Sequence, residues 1–240
     1  MGELPDPLSA MTPFPFAAVL FDCDGVLVDS EPITNRVLAD MLGELGWHIT
    51  TEESMNTFTG KAVKDEAALI ESKTGFAITS EWLKTFRARR NEALERDLTA
   101  IPNAPAAIRE IHAKLKGRIA CASGADRHKV ELQLAKVGLL DCFEGRIFSG
   151  HETPRSKPHP DVYLAAAEAL GVDPRRCAIV EDTVTGAMAG VAAGATVFGY
   201  STGDSGHSGP GPLRSAGAVQ VFSDMAELPA LLSAYRLQPA

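Results

Sequence analysis

Ala17-Ala18-Val19-Leu20-Phe21-Asp22-Cys23-Asp24-Gly25-Val26 is the stretch on which the reading of this chain turns. A short apolar run ends at two carboxylates one residue apart, and a glycine follows. The run predicts a buried strand of a parallel sheet. Acids at the end of such a strand lie at the rim of an open α/β sheet, where ligands bind. Two carboxylates this close repel unless a cation or a shared proton intervenes. The pattern therefore points to a hard divalent metal and to a carboxylate free for covalent chemistry.

The bulk properties fit that picture. The chain has 240 residues, 45% of them apolar, which suffices for a large domain or for a core with a smaller insert. A net charge of −8 and a pI near 5.3 argue against a nucleic-acid partner. They leave an anionic substrate open, because a metal and a few local cations outweigh the global charge at a site. Cys23, Cys121, Cys142 and Cys177 form no C-x-x-C pair, and His151 and His159 do not share zinc-ligand spacing with them. They read as small buried hydrophobes of a reducing, cytoplasmic setting. No apolar stretch is long enough to span a membrane. Met1 to Pro15 is Pro-rich and acidic, unlike a secretory signal, and reads as a loose leader.

Further strand-like runs fall at Arg118–Ser123, Arg146–Ser149, Cys177–Val180, Thr196–Tyr200 and Ala218–Phe222. Helical stripes alternate with them, among them Ala104/Ala107/Ile108/Ile111/Leu115 and Val130/Leu134/Val137, and Pro160 opens another. This alternation predicts an α/β fold with a doubly wound parallel sheet. One interval breaks it. Between Asp29 and Ile101 there are three helical stripes and no strand: Val37/Leu38/Met41/Leu42/Leu45, then Val63/Ala67/Ile70, then Trp82/Leu83/Phe86/Ala93/Leu94. About 70 residues is too long for an ordinary connection. The expected division is a core of residues 1–29 and 101–240 with an all-helical cap, residues 30–100, inserted over the edge that carries Asp22 and Asp24. A cap placed there can close and exclude water. The basic cluster Lys84, Arg87, Arg89 and Arg90 could attract an anion, but the solvated face of a cap helix explains it better. Ser201 to Gly217, rich in Gly, Ser and Pro, reads as a mobile loop, either a plain connector or a border of the site.

Four segments carry chemistry. Asp22-Cys23-Asp24-Gly25 closes the first strand; the apolar run before it and the lack of further acids at loop spacing weigh against a calcium loop. Ile119-Ala120-Cys121-Ala122-Ser123-Gly124 ends a strand in a hydroxyl and free amides that can hold a phosphate oxygen, although Ser-Gly there is also ordinary turn chemistry. Ser156-Lys157-Pro158-His159-Pro160 fixes a lysine on a stiff turn, fit to steady an anion or simply to face solvent. Cys177-Ala178-Ile179-Val180-Glu181-Asp182 ends another strand in paired acids, and Gly186, Ala189, Gly190, Ala193 and Gly194 follow on a helix able to pack close to the sheet.

The ordered set resembles the haloacid dehalogenase superfamily of phosphohydrolases, whose first motif matches FDCDGVLVDSE and whose fourth matches EDTVTGAMAGVAAG. The insert is similar to the helical cap of the phosphoglycolate phosphatase and β-phosphoglucomutase subgroup. The resemblance implies a Rossmann-like core and a Mg²⁺-dependent phosphatase acting on a small phosphorylated metabolite, a sugar phosphate or a phosphoglycolate-like acid. It implies Asp22 as the nucleophile that becomes an aspartyl phosphate, and Asp24 as general acid and base. Mg²⁺ would be held by Asp22, the Asp24 carbonyl and Asp182, with Glu181 nearby. Ser123, Gly124 and Lys157 would grip the phosphoryl oxygens, and Lys61 of the cap could reach the substrate. A monomer or weak dimer is expected.

Asp24 and Asp182 speak against a dehalogenase of this fold. Asp24 also speaks against a phosphonate hydrolase using Lys61 or Lys64. A mutase shares the core chemistry, but Thr34 and Thr59 stand where β-phosphoglucomutase has a cap histidine and a cap lysine, which favours hydrolysis. A non-catalytic phospho-acceptor module would be shorter and without a helical insert.

Overall fold

A single apolar face cannot bury the runs identified above, because the side chains of each strand alternate between two sides. Ala18 and Leu20 join one buried cluster while Val19 and Phe21 join another. The computed structural model describes residues 14–203 and 208–236; most of the proposed leader lies outside the described residues. Six parallel strands form one sheet in the order β3-β2-β1-β4-β5-β6: β1 Ala18–Phe21, β2 Ile119–Ser123, β3 Ile147–Ser149, β4 Cys177–Glu181, β5 Thr196–Tyr200 and β6 Gln220–Phe222. The strand bounds differ from the sequence expectation by up to two residues. β1 lies at the centre, pairing with β2 through Val19↔Ile119 and with β4 through Val19↔Ala178.

Helices cover both faces. α5 (Ala104–Lys114), α6 (Arg127–Lys136) and α10 (Leu228–Ala234) bury Ile108, Val130, Leu134 and Leu232 on the face that receives Val19 and Phe21. α7 (Asp161–Ala169), α8 (Val184–Ala192) and α9 (Pro210–Ser215) pack on the other. That second face is lined by Ala18, Ala120 and Ala122, and these short side chains let alanine-rich helices approach closely.

The helical insert follows β1. It comprises α1 (Glu31–Glu44), α2 (Thr51–Phe58), a 3₁₀ turn at Val63–Glu66, α3 (Ala67–Thr74) and α4 (Ser80–Asp97). The outgoing and returning chains run side by side: the Asp29 amide donates to Thr99 O at 3.0 Å, and the Ile101 amide donates to Leu27 O at 3.1 Å. α2 is absent from the three expected stripes because it buries only Ser54 and Phe58. Its signal was the capping box, in which Thr50 and Glu53 satisfy each other's amides.

The segment from Ser201 to Gly217 also departs from expectation. Pro210–Ser215 is helical, because Pro210 presets the first turn and buried Leu213 anchors it. Residues 204–207 lie outside the described residues. No helix of the described residues is long and apolar enough to cross a membrane.

Candidate active site

The carboxyl ends of β1, β2 and β4 open into one cavity of ≈ 440 Å³, which the helical insert roofs. Asp22, Asp24, Ser123, Gly124, Lys157, Asp182 and Lys61 all line it. Parallel register brings the residues at and just after the strand ends, Asp22, Asp24, Ser123, Gly124 and Asp182, to one edge, while Lys157 comes from the connection between β3 and α7 and Lys61 from the insert.

Asp22 is buried, and its Oδ1 accepts from Lys157 Nζ at 2.7 Å. Burial pushes its carboxyl up to about 7, against the pull of Lys157 and with further push from Glu181 and Asp24. Burial also works against the Lys157 charge, yet Asp22 and Glu181 hold the ammonium well above its ordinary range.

Glu181 is fully buried and saturated. Oε1 accepts from Lys157 Nζ at 2.6 Å and from Tyr163 Oη at 2.6 Å. Oε2 accepts from the amides of Asp182 and Thr183 and from Thr183 Oγ1. Its first task in this arrangement is to fix Lys157 and the start of α8. It remains within reach of the Asp22–Asp182 pair, since ligand atoms of the three lie within 4.8 Å of one another.

Asp182 differs: its Oδ1 is buried without a hydrogen-bond partner. Burial, followed by Glu181, Asp22 and Glu31, pushes its carboxyl well above the usual range. An orphaned buried carboxylate oxygen beside a second acid is the donor set that a hard divalent cation satisfies. Gly25 keeps the space open. Its φ is +75°, and a Cβ there would lie 2.2 Å from Asp182 Oδ2. The residues present thus fit a divalent metal. Behind them, Ser208 donates its amide to Asp182 O at 2.9 Å, so the chain after β5 does border this edge.

Asp24 engages different partners. Its Oδ1 accepts from Lys129 Nζ and Gln133 Nε2, each at 2.8 Å, and from Ser30 Oγ. Burial opposes ionisation here, but the charge and hydrogen bond of Lys129, with Ser30 and Gln133, bring Asp24 down to about 2. Cys23 Sγ donates to Gln133 Oε1 at 3.5 Å, tying the same glutamine to the strand end. Ser123 Oγ accepts from the Ala125 amide at 3.1 Å, so it serves the turn while lining the cavity. Lys61 lies at the cap side, 3.6 Å from Glu66.

Several cavity residues were not singled out in the sequence. Glu31 accepts from Asn35 Nδ2 at 2.9 Å and from Thr59 Oγ1 at 3.3 Å, and burial followed by the Asp24 charge pushes its carboxyl up to about 7. Lys129 and Gln133 stand one helical turn apart on α6, a spacing that puts both on one face. Arg90 of α4 bridges to Asp126 of the core at 3.1 Å. Arg87 and Arg90 line the cavity, so half of the basic cluster expected on a solvated face looks inward instead. Thr34 and Thr59 stand near this roof: Thr34 lines the cavity with its Oγ1 buried and unpaired, and Thr59 is engaged with Glu31.

A family model described as haloacid dehalogenase-like hydrolase matches residues 16–194. The chain belongs to that family. It is 32% identical over 218 residues to the 6-phosphogluconate phosphatase of Escherichia coli K12, covering 90% of this chain and 95% of that protein. It is 33% identical to hexitol phosphatase B of the same organism, covering 76% of this chain and 82% of that protein. Among solved structures, a haloacid dehalogenase family hydrolase from Deinococcus radiodurans R1, with bound phosphate and sodium, superposes with a TM-score of 0.75 at 38% identity. That match covers 95% of this chain and all (100%) of the other. The two named enzymes are phosphatases, in agreement with the activity that the motifs imply.

Proposed function

We propose that this hydrolase is a divalent-metal-dependent phosphatase of small phosphorylated metabolites, with Mg²⁺ as the ion and sugar phosphates as the substrate class. The observation that carries the proposal is the pairing of buried Asp22 with Lys157 beside the orphaned Asp182 oxygen. The activities named for the two Escherichia coli relatives support a sugar-phosphate substrate.

Asp22 is the nucleophile: a carboxylate oxygen bonds to phosphorus while the ester oxygen departs. Anions repel, so the attack needs local positive charge. Lys157 supplies one cation, and a metal held by the Asp22 and Asp182 carboxylates and the Asp24 carbonyl would supply the remaining neutralisation. Ser123 and the amides around Gly124 hold phosphoryl oxygens. Asp24 gives the departing alkoxide its proton and takes one from the water that cleaves the acyl phosphate. Held by Lys129, Gln133 and Ser30 it is a carboxylate, so the acid step requires it to leave these partners, take a proton from solvent and turn into the cavity. The helical cap, residues 30–100, excludes water and presents Lys61 and its neighbours to the organic part of the substrate.

Phosphate release from p-nitrophenyl phosphate, with Mg²⁺ and then with excess chelator, tests the reading. Metal-dependent release is expected. Release that persists undiminished in chelator refutes the metal assignment, and no release from aryl or sugar phosphates refutes the phosphatase.

A further inference from the structure

Beyond the phosphoryl pocket, the cavity wall carries several cations set among the acids Glu31, Asp65, Glu66 and Asp126. Lys64 comes from the 3₁₀ turn Val63–Glu66, Arg87 and Arg90 from α4, and His151 from the chain just after β3; all four line the same cavity. Their proximity is visible in His151: burial, then the charges of Lys64, Arg87 and Arg90, push its imidazole down against the opposing charge of Asp126.

Most of these charges are already matched. Arg90 pairs with Asp126 at 3.1 Å, Lys61 lies 3.6 Å from Glu66, and Lys64 lies 3.8 Å from Asp65. Elsewhere on α4, Lys84 faces Glu81, Arg89 binds Glu44 and Arg96 binds Asp97. Arg87 makes no ion pair with any described residue. A guanidinium that lines a cavity and lacks a counter-charge leaves one positive charge for a ligand, and its planar fork matches a carboxylate. A second phosphate dianion would call for more than one free cation.

We propose that the substrate carries a carboxylate at the end remote from its phosphate, and that Arg87, at the mouth of the cavity, receives it. The substrate class is thus a phosphorylated sugar acid. This rests on the phosphatase reading and narrows it.

The test compares 6-phosphogluconate with glucitol 6-phosphate, which differ only in a terminal carboxylate against a terminal hydroxymethyl group. For the unmodified protein kcat/KM is expected to favour the acid about tenfold or more, mainly through KM. In Arg87→Ala that preference should collapse toward unity, and Arg87→Lys, which keeps the charge but not the fork, should retain part of it. Equal use of both esters, or an acid preference untouched by Arg87→Ala, overturns the proposal and leaves the phosphatase standing. Preference for a hexose bisphosphate over 6-phosphogluconate overturns the carboxylate assignment. No phosphate release from any ester, p-nitrophenyl phosphate included, overturns both.

Discussion

Lys157 Nζ lies 2.7 Å from Asp22 and 2.6 Å from Glu181, so one ammonium ties the end of β1 to the end of β4. Removing either acid would leave the lysine buried with half its compensation, and a broken buried pair costs about 3–5 kcal/mol. Glu181 thus serves the site as the anchor that keeps Lys157 pointed at Asp22.

Asp22→Asn should abolish turnover, with a loss on the order of 10³-fold or more, because an amide oxygen is a poor nucleophile. The fold should survive, since the substitution preserves shape. Phosphate release together with far-UV circular dichroism checks both halves; turnover at the parent rate removes Asp22 from its role.

Asp24→Asn should slow formation and breakdown of the phospho-enzyme alike, because the proposed mechanism assigns both proton transfers to this one residue. Rapid-quench measurement of acid-stable phosphoprotein separates the two steps. A variant slowed in one step alone would divide the duties between Asp24 and another group.

Gly186→Ala should destabilise the protein by about 3 kcal/mol and depress activity with it. An added Cβ would sit 1.8 Å from Glu181 Oε1, so the carboxylate must shift and release Lys157 and Tyr163. Urea denaturation gives the stability and aryl phosphate hydrolysis the activity; a variant of parental stability would mean that α8 yields instead of Glu181.

Stability in chelator should fall as pH rises from about 4 through about 7. Asp22 and Glu31 are held near 7 in the fold, above their ordinary values of 3.8 and 4.5. The folded chain therefore binds more protons than the unfolded one in that window, and its advantage is present below it and lost above. Mg²⁺ should restore Tm most at pH 8, where both carboxyls are ionised, and least at pH 5. Thermal melts across that range, with and without the ion, decide the point; a Mg²⁺ effect independent of pH contradicts it.

The sequence exposed the parts of this site that strands deliver. Parallel strands are unbroken apolar runs, so the polar residues ending them at Asp22, Ser123 and Glu181–Asp182 stand out, and parallel register collects them at one edge. Side chains aimed by helices were harder to see. Lys129 and Gln133 sit among Val130, Leu132 and Leu134, and only knowing which face of α6 meets β1 marks them as partners of Asp24. Arg87 and Arg89 are two positions apart on α4, and about 200° of rotation separates cavity from exterior. Periodicity shows that a helix has a polar side but does not say what the side looks upon.

The pinning of Asp29 against Thr99 and of Leu27 against Ile101 has an evolutionary consequence. Because the helical module leaves and rejoins the scaffold at neighbouring points, its replacement by another module of different length need not disturb the strands beneath. Lineages sharing this chassis can thus acquire new specificities by exchanging the roof while the reactive floor is inherited intact.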